Sequence, residues 1–129
     1  MSRTISEGIT GRVLWFEGDL MPGIDKEPIE GIPVTREIYI YAPIHTNQAE
    51  IVDYVFYQNI QTPLIKKVTS DENGNFRAKL KPGSYSLFVK EPKGLFANRY
   101  DEYGYVNLIK VNEKEVTDIV IRIDYKAAY

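Results

Sequence analysis

Cysteine is absent from the 129-residue chain, and histidine occurs once, at position 45. The first absence excludes disulfides, thiolate nucleophiles and Cys-based metal sites. The second removes most imidazole chemistry. A Ser-His-Asp triad would need His45 beside a serine nucleophile, and no Gly-x-Ser-x-Gly elbow occurs. Zinc normally draws two or more imidazole or thiolate ligands, which the chain does not hold. No continuous apolar run approaches the ~20 residues that span a bilayer as a helix. A formal net charge of −2 argues against a nucleic-acid binder dominated by phosphate contacts. The sequence thus leads us to expect no cofactor, no metal, no nucleic-acid partner and no transmembrane segment. The opening Met1-Ser-Arg-Thr-Ile-Ser-Glu-Gly8 lacks the apolar centre of a secretory signal, which taken by itself places the chain in the cytoplasm.

Helical periodicity is missing too: nowhere do apolar residues recur at that spacing over three turns. A period of two is present instead. After Asn73-Gly74, whose residue types tolerate the positive φ of a tight hairpin turn, Phe76, Ala78 and Leu80 alternate with Arg77, Lys79 and Lys81. Pro82-Gly83 reverses the chain, and Tyr85, Leu87 and Val89 resume the apolar face. The same alternation predicts strands over Gly8 to Phe16, Val34 to Ala42, Ile51 to Tyr57, Leu64 to Thr69, Tyr105 to Val111 and Val116 to Tyr125. Ile119, Ile121 and Ile123 form the inward face of the last strand. Glu17 to Gly31 and Lys90 to Gly104 read as long loops, and Ile44 to Glu50 as a connection with room for one helical turn. With 43% hydrophobic and 26% charged residues, the chain is expected to form a single all-β domain over 1–129. Its expected architecture is a two-sheet antiparallel β-sandwich of seven to eight strands.

The stretch Thr69 to Leu87 has the pattern Thr-x-Asp-x-x-Gly-x-Phe-x-x-x-Leu-x-Pro-Gly-x-Tyr-x-Leu. It resembles the carboxypeptidase regulatory-like domains, which belong with the prealbumin-like (transthyretin-like) sandwiches. Gly8-Ile-Thr-Gly-Arg-Val13, Gly31-Ile-Pro-Val34 and Val116 to Ile123 extend the similarity over most of the chain. The resemblance implies a Greek-key sandwich and a secreted, periplasmic or cell-envelope location. Its motifs are turn and core residues, which identify a scaffold rather than a chemistry. The transthyretin-like hydroxyisourate hydrolases use several histidines and a terminal Tyr-Arg-Gly-Ser, whereas this chain ends Asp124-Tyr-Lys-Ala-Ala-Tyr129. Intradiol dioxygenases hold iron with two Tyr and two His, more imidazoles than His45 alone supplies. Lys–Asn cross-links occur in related surface sandwiches, and Lys66 or Lys67 with Asn107 are the residues to examine.

Aromatic residues carry the functional reading. Phe96, Tyr100, Tyr103 and Tyr105 are interleaved with Asn98, Arg99, Asp101 and Glu102 in the second long loop. Flat rings stack on sugars or clamp peptides, while amides and charges fix orientation. Equally, such rings could fold back over an open end of the core. Tyr39 and Tyr41 with Tyr54 and Phe56 would form an exposed aromatic face, and a dimer interface or binding surface, if their strands were neighbours. The early loop, Leu20 to Ile29, could instead cover that face. Oxygen ligands alternate at Asp71, Asn73 and Asn75 as in a calcium loop, but Gly74 comes too early and a turn accounts for the residues. His45 after Pro43 is expected to be an exposed loop residue. The leading expectation is a non-catalytic module that binds carbohydrate, an envelope protein or its own twin. A small-molecule hydrolase built without the usual histidines, and a structural spacer, are the alternatives.

Overall fold

The computed structural model describes residues 5–19 and 31–128, which form two packed β-sheets and no α-helix. The first sheet centres on β1 (Gly8–Asp19), which pairs in parallel with β11 (Val116–Ala128) on one side. On its other side β1 pairs antiparallel with β7 (Asn75–Lys79) and then with the two-residue β2 (Ile32–Pro33). The second sheet runs β4 (Glu50–Val52), β5 (Phe56–Gln58), β9 (Gly94–Phe96), β8 (Gly83–Glu91), β3 (Glu37–Tyr41), β6 (Leu64–Thr69). A further strand, β10 (Leu108–Val111), pairs with the leading half of β8. The all-β sandwich expected from the sequence is therefore present, with eleven strands among the described residues rather than seven or eight. The surplus comes from pieces of two or three residues. Leu20 to Ile29, expected to cover an aromatic face, lies outside the described residues.

Alternation predicts the inward faces well. Ile9 and Val13 of β1, Ile38 and Ile40 of β3, Leu87 and Val89 of β8, and Ile121 and Ile123 of β11 meet in one core. Phe56, Phe76 and Phe96 fill the space between the sheets. Burying such side chains contributes about 1.5–3 kcal/mol each, the main term holding the layers together.

Three local expectations change. The Asn73-Gly74 and Pro82-Gly83 turns are corners rather than hairpins: they carry the chain from β6 in one sheet to β7 in the other and back to β8. A strand that crosses to the facing sheet still needs one buried face, so it keeps the same period. The expected strand Ile51 to Tyr57 is a hairpin, β4 and β5, reversed at Asp53 and Tyr54, both with positive φ. β8 is buried on both faces, because Ser86 and Phe88 on its outer side are covered as fully as Leu87 and Val89. The cover is a second cluster in which Ile44, Ala97 and Val106 pack over Phe88 and Tyr57, with Tyr39 and Tyr41 at its margin.

At one end of the sandwich a charged clasp joins both sheets. Arg36 Nε lies 2.8 Å from Glu91 Oε2, and the Tyr125 hydroxyl donates to Glu91 Oε1 at 2.7 Å. The Glu91 side chain is 2% exposed and that of Arg36 31%. The Arg36 guanidinium lies 5.7 Å from the Trp15 ring centre, and Trp15 meets Tyr125 edge to face. Burial, then the hydrogen bond and charge of Glu91, push the Tyr125 hydroxyl up to about 12, with Arg36 opposing.

Candidate functional site

The loop between β9 and β10 distributes its side chains to three places. Phe96, at the end of β9, pairs with Val89 and Phe56 and turns into the core beside Tyr125. Its placement corrects the expectation that it contacts a ligand: antiparallel pairing on both sides fixes its side chain inward. Ala97 and Val106 pack on the outer cluster. The remaining residues stay at the surface.

Asp101 is the loop's internal brace. Its Oδ1 accepts the backbone N–H groups of Tyr103 and Tyr105, each at 2.9 Å, and its carbonyl accepts from Gly104. The sequence Asp71-Glu-Asn-Gly-Asn75 folds identically: Asp71 Oδ1 accepts from Asn73 and Asn75 at 2.9 Å each. Gly74 and Gly104 hold the left-handed position of the two turns, at φ 77° and 87°. The recurrence of Asp-Glu-x-Gly-x at 71 and 101 was legible as a shared turn signal. It also assigns the Asp71 carboxylate to turn formation rather than to a calcium loop, and Asp101 to support rather than ligand contact.

Braced in this way, the loop presents Tyr100 and Tyr103, each 71% exposed, with Tyr105 at their side. Tyr100 bridges to Val106, and Tyr105 bridges to His45. His45 departs from its expected exposed position. It is half-buried, its Nδ1 accepts from Asn47 to cap the 3₁₀ turn Thr46–Gln48, and its ring meets Tyr105 edge to face at 5.5 Å. Nδ1 as acceptor makes Nε2 the protonated nitrogen of the neutral ring. Tyr57 lies beneath: burial raises its hydroxyl pKa, and the neighbouring Tyr100 adds to the rise.

Asn98 and Arg99 turn the other way, into a groove of about 630 Å³ between the edges of β10 and β11. Its floor holds Ile109, Ile119 and Ile121, and Asp118, Arg122 and Asp124 complete the rim. Asn98 Nδ2 donates to the Arg122 carbonyl at 3.2 Å and to Asp124 Oδ1 at 2.9 Å. The three β11 rim residues escape sequence reasoning, because alternation along a terminal strand reads as an ordinary solvent face. Asp101 and Glu102 do not line this groove, so Arg99 is not gathered with them into one cleft.

The second aromatic set is not brought together. β3 and β5 are separated by β8 and β9, so the four rings share no face. Phe56 is 2% exposed and faces inward, a correction with a plain cause: from Ile51 to Tyr57 apolar and aromatic residues occupy both parities, so alternation there does not say which side meets the core. Tyr54 sits at that hairpin tip, 94% exposed. Tyr39 and Tyr41 do lie on the outer face, where Lys67 stands over Tyr39 and Phe88 packs against Tyr41. Lys66 and Lys67 of β6 are separated from Asn107 by β3 and β8; Lys66 Nζ donates to the Lys79 carbonyl and Asn107 Nδ2 to that of Leu87. No cross-link geometry exists between them. No family model, curated protein or solved structure matches the chain.

Proposed function

We propose that the chain is a non-catalytic carbohydrate-binding module of the carboxypeptidase regulatory-like, transthyretin-like kind, working in a cell envelope or outside the cell. One observation carries this reading: two tyrosine rings, each 71% exposed, stand on a loop whose backbone is pinned by two bridges and an Asp101 turn. Rings held rigidly in water lose little freedom when a sugar stacks on them, and aromatic stacking is the interaction such rings supply. Tyr105, His45 and Asn47 border the same face and offer polar groups for hydroxyl recognition. The resemblance at Thr69 to Leu87 supports the scaffold assignment, and with it the extracytoplasmic location.

The experiment is retention on a glycan array, measured with Tyr100→Ala and Tyr103→Ala. Each substitution should abolish retention while leaving the melting temperature within about 2 °C, as expected of exposed positions. Retention undiminished in both variants would end the sugar reading. Unfolding of both would return the rings to the core and end it as well.

A further inference from the structure

Among the described residues β11 is an edge strand, and the direction of its backbone groups on that side follows from its register. Gly8 pairs with Val116, and Gly8 N–H donates to the Glu115 carbonyl at 3.1 Å. In a parallel ladder that pattern turns the backbone groups of odd-numbered β11 residues toward β1. Those of Asp118, Val120 and Arg122 therefore point away, into the groove between β11 and β10. The Asn98 bond to the Arg122 carbonyl agrees with this direction.

The open edge is short because both ends are closed. Thr117 Oγ1 donates to the Lys110 carbonyl at 2.7 Å at one end, and Asn98 covers the Arg122 carbonyl at the other. A strand of a second copy would have to run through both closures. Three or four extended residues, at roughly 3.3 Å each, match the gap. Charge favours one polarity. Among the described residues the Arg99 side chain makes no hydrogen bond or ion pair, although it lines the Asn98 end of the groove. The other guanidinium at that end, Arg122, lies 4.4 Å from the centre of the Phe16 ring and is engaged there. Asp124, which accepts from Asn98, brings one carboxylate to the same end, so the two guanidiniums there are in excess by one charge, while Asp118 stands at the opposite end.

We propose that this groove binds the C-terminal three or four residues of a partner polypeptide, added as a strand parallel to β11. The peptide's backbone bonds to the Asp118 carbonyl, to both backbone groups of Val120 and to the Arg122 N–H. Its alternate side chains rest on Ile109, Ile119 and Ile121, and its terminal carboxylate meets Arg99. Strand addition with pockets for alternate residues is an established way for one sheet to recognise a chain. The site is separate from the tyrosine face and does not depend on the sugar reading.

The test is a panel of N-acetyl tetrapeptides with free C-terminal carboxylates. Val, Ile, Leu or Phe occupies the alternating inward positions and Thr the others, and the peptides are titrated into 15N-labelled protein. Members of the panel should shift the backbone amides of Asp118, Val120 and Arg122 together. Arg99→Gln should weaken the best member about tenfold, as loss of a charge-assisted hydrogen bond does. Amidating the peptide terminus should cost the same, with no further loss when both changes are combined. N-methylation of the peptide residue opposite Ile121, whose N–H reaches the Val120 carbonyl in a parallel ladder, should remove binding, while Tyr100→Ala should leave it intact. The proposal is overturned if no member moves those amides, if the amidated or N-methylated peptide binds equally well, or if Arg99→Gln changes nothing.

Discussion

Arg36→Met would leave the Glu91 carboxylate buried between the sheets with the Tyr125 hydroxyl as its remaining hydrogen-bond partner among the described residues. Removing one member of a buried ion pair costs about 3–5 kcal/mol, because the other charge stays desolvated. Arg36 is 31% exposed, so water can enter part of the vacated space, and the lower end of that range, about 3 kcal/mol, applies. Loss of the guanidinium over Trp15 adds roughly 0.5–1 kcal/mol. The total, near 3.5–4 kcal/mol, is a large share of the ~5–15 kcal/mol that holds a domain folded. For a chain of this size it corresponds to a fall of about 10–16 °C in melting temperature. Glu91→Met should cost less, since Arg36 can turn to solvent. The double substitution should cost less than Arg36→Met alone, because no charge is then left buried. Urea denaturation of the four proteins in a double-mutant cycle measures this. Additive effects, or a loss below about 1 kcal/mol for Arg36→Met, would show that the clasp contributes nothing beyond its packing.

Tyr125 ties the clasp to alkaline pH. Its native pKa of about 12 lies above its ordinary 10, so its protonated form supports the fold fully below pH 10 and this support is lost as pH rises from 10 through 12. Tyr125→Phe should flatten that decline in a pH series of melting curves without abolishing it, since the pKa values of Tyr41, Tyr57 and Tyr85 are also raised. Asp71→Ala and Asp101→Ala each remove the acceptor of two backbone N–H groups and should cost about 1–2 kcal/mol. Only Asp101→Ala should also weaken glycan retention; equal effects of both on retention would mean that the turn does not position the tyrosines. Gly104→Ala places a methyl group 2.6 Å from His45 Nε2 at φ 87° and should destabilise by about 1–3 kcal/mol. Adding His45→Ala should recover part of that loss in the same melting assay, and no recovery would refute the contact.

The inward residues of β1, β3, β7, β8 and β11 were legible, because a period of two is a local property that survives whatever the strand pairs with. Partners were not legible. The turn at Asn73-Gly74 looks alike whether the next strand joins the same sheet or the facing one, and here it joins the facing one. The hairpin at Asp53 and Tyr54 carries no Gly, and apolar residues at both parities from Ile51 to Tyr57 left open which face Phe56 takes. The candidate site divided along the same line. Tyr100 and Tyr103 stood out by composition, and Asn98 and Arg99 beside them were identified with the wrong neighbours. Their actual companions, Asp118, Arg122 and Asp124, come from β11.

Composition and alternation alone established an all-β chain without thiol or multi-histidine chemistry, carrying an aromatic loop. These follow from residue identity and nearest-neighbour geometry. Only the tertiary structure decided which loop residues are core, which are brace and which are surface, and that one edge of β11 opens toward Arg99. Thr10 and Asp118 meet across 108 positions of sequence, and contacts over such separations depend on the paths of every intervening turn. A two-residue period holds no record of those paths, so side chains of the same type can end in a core, a turn or a groove.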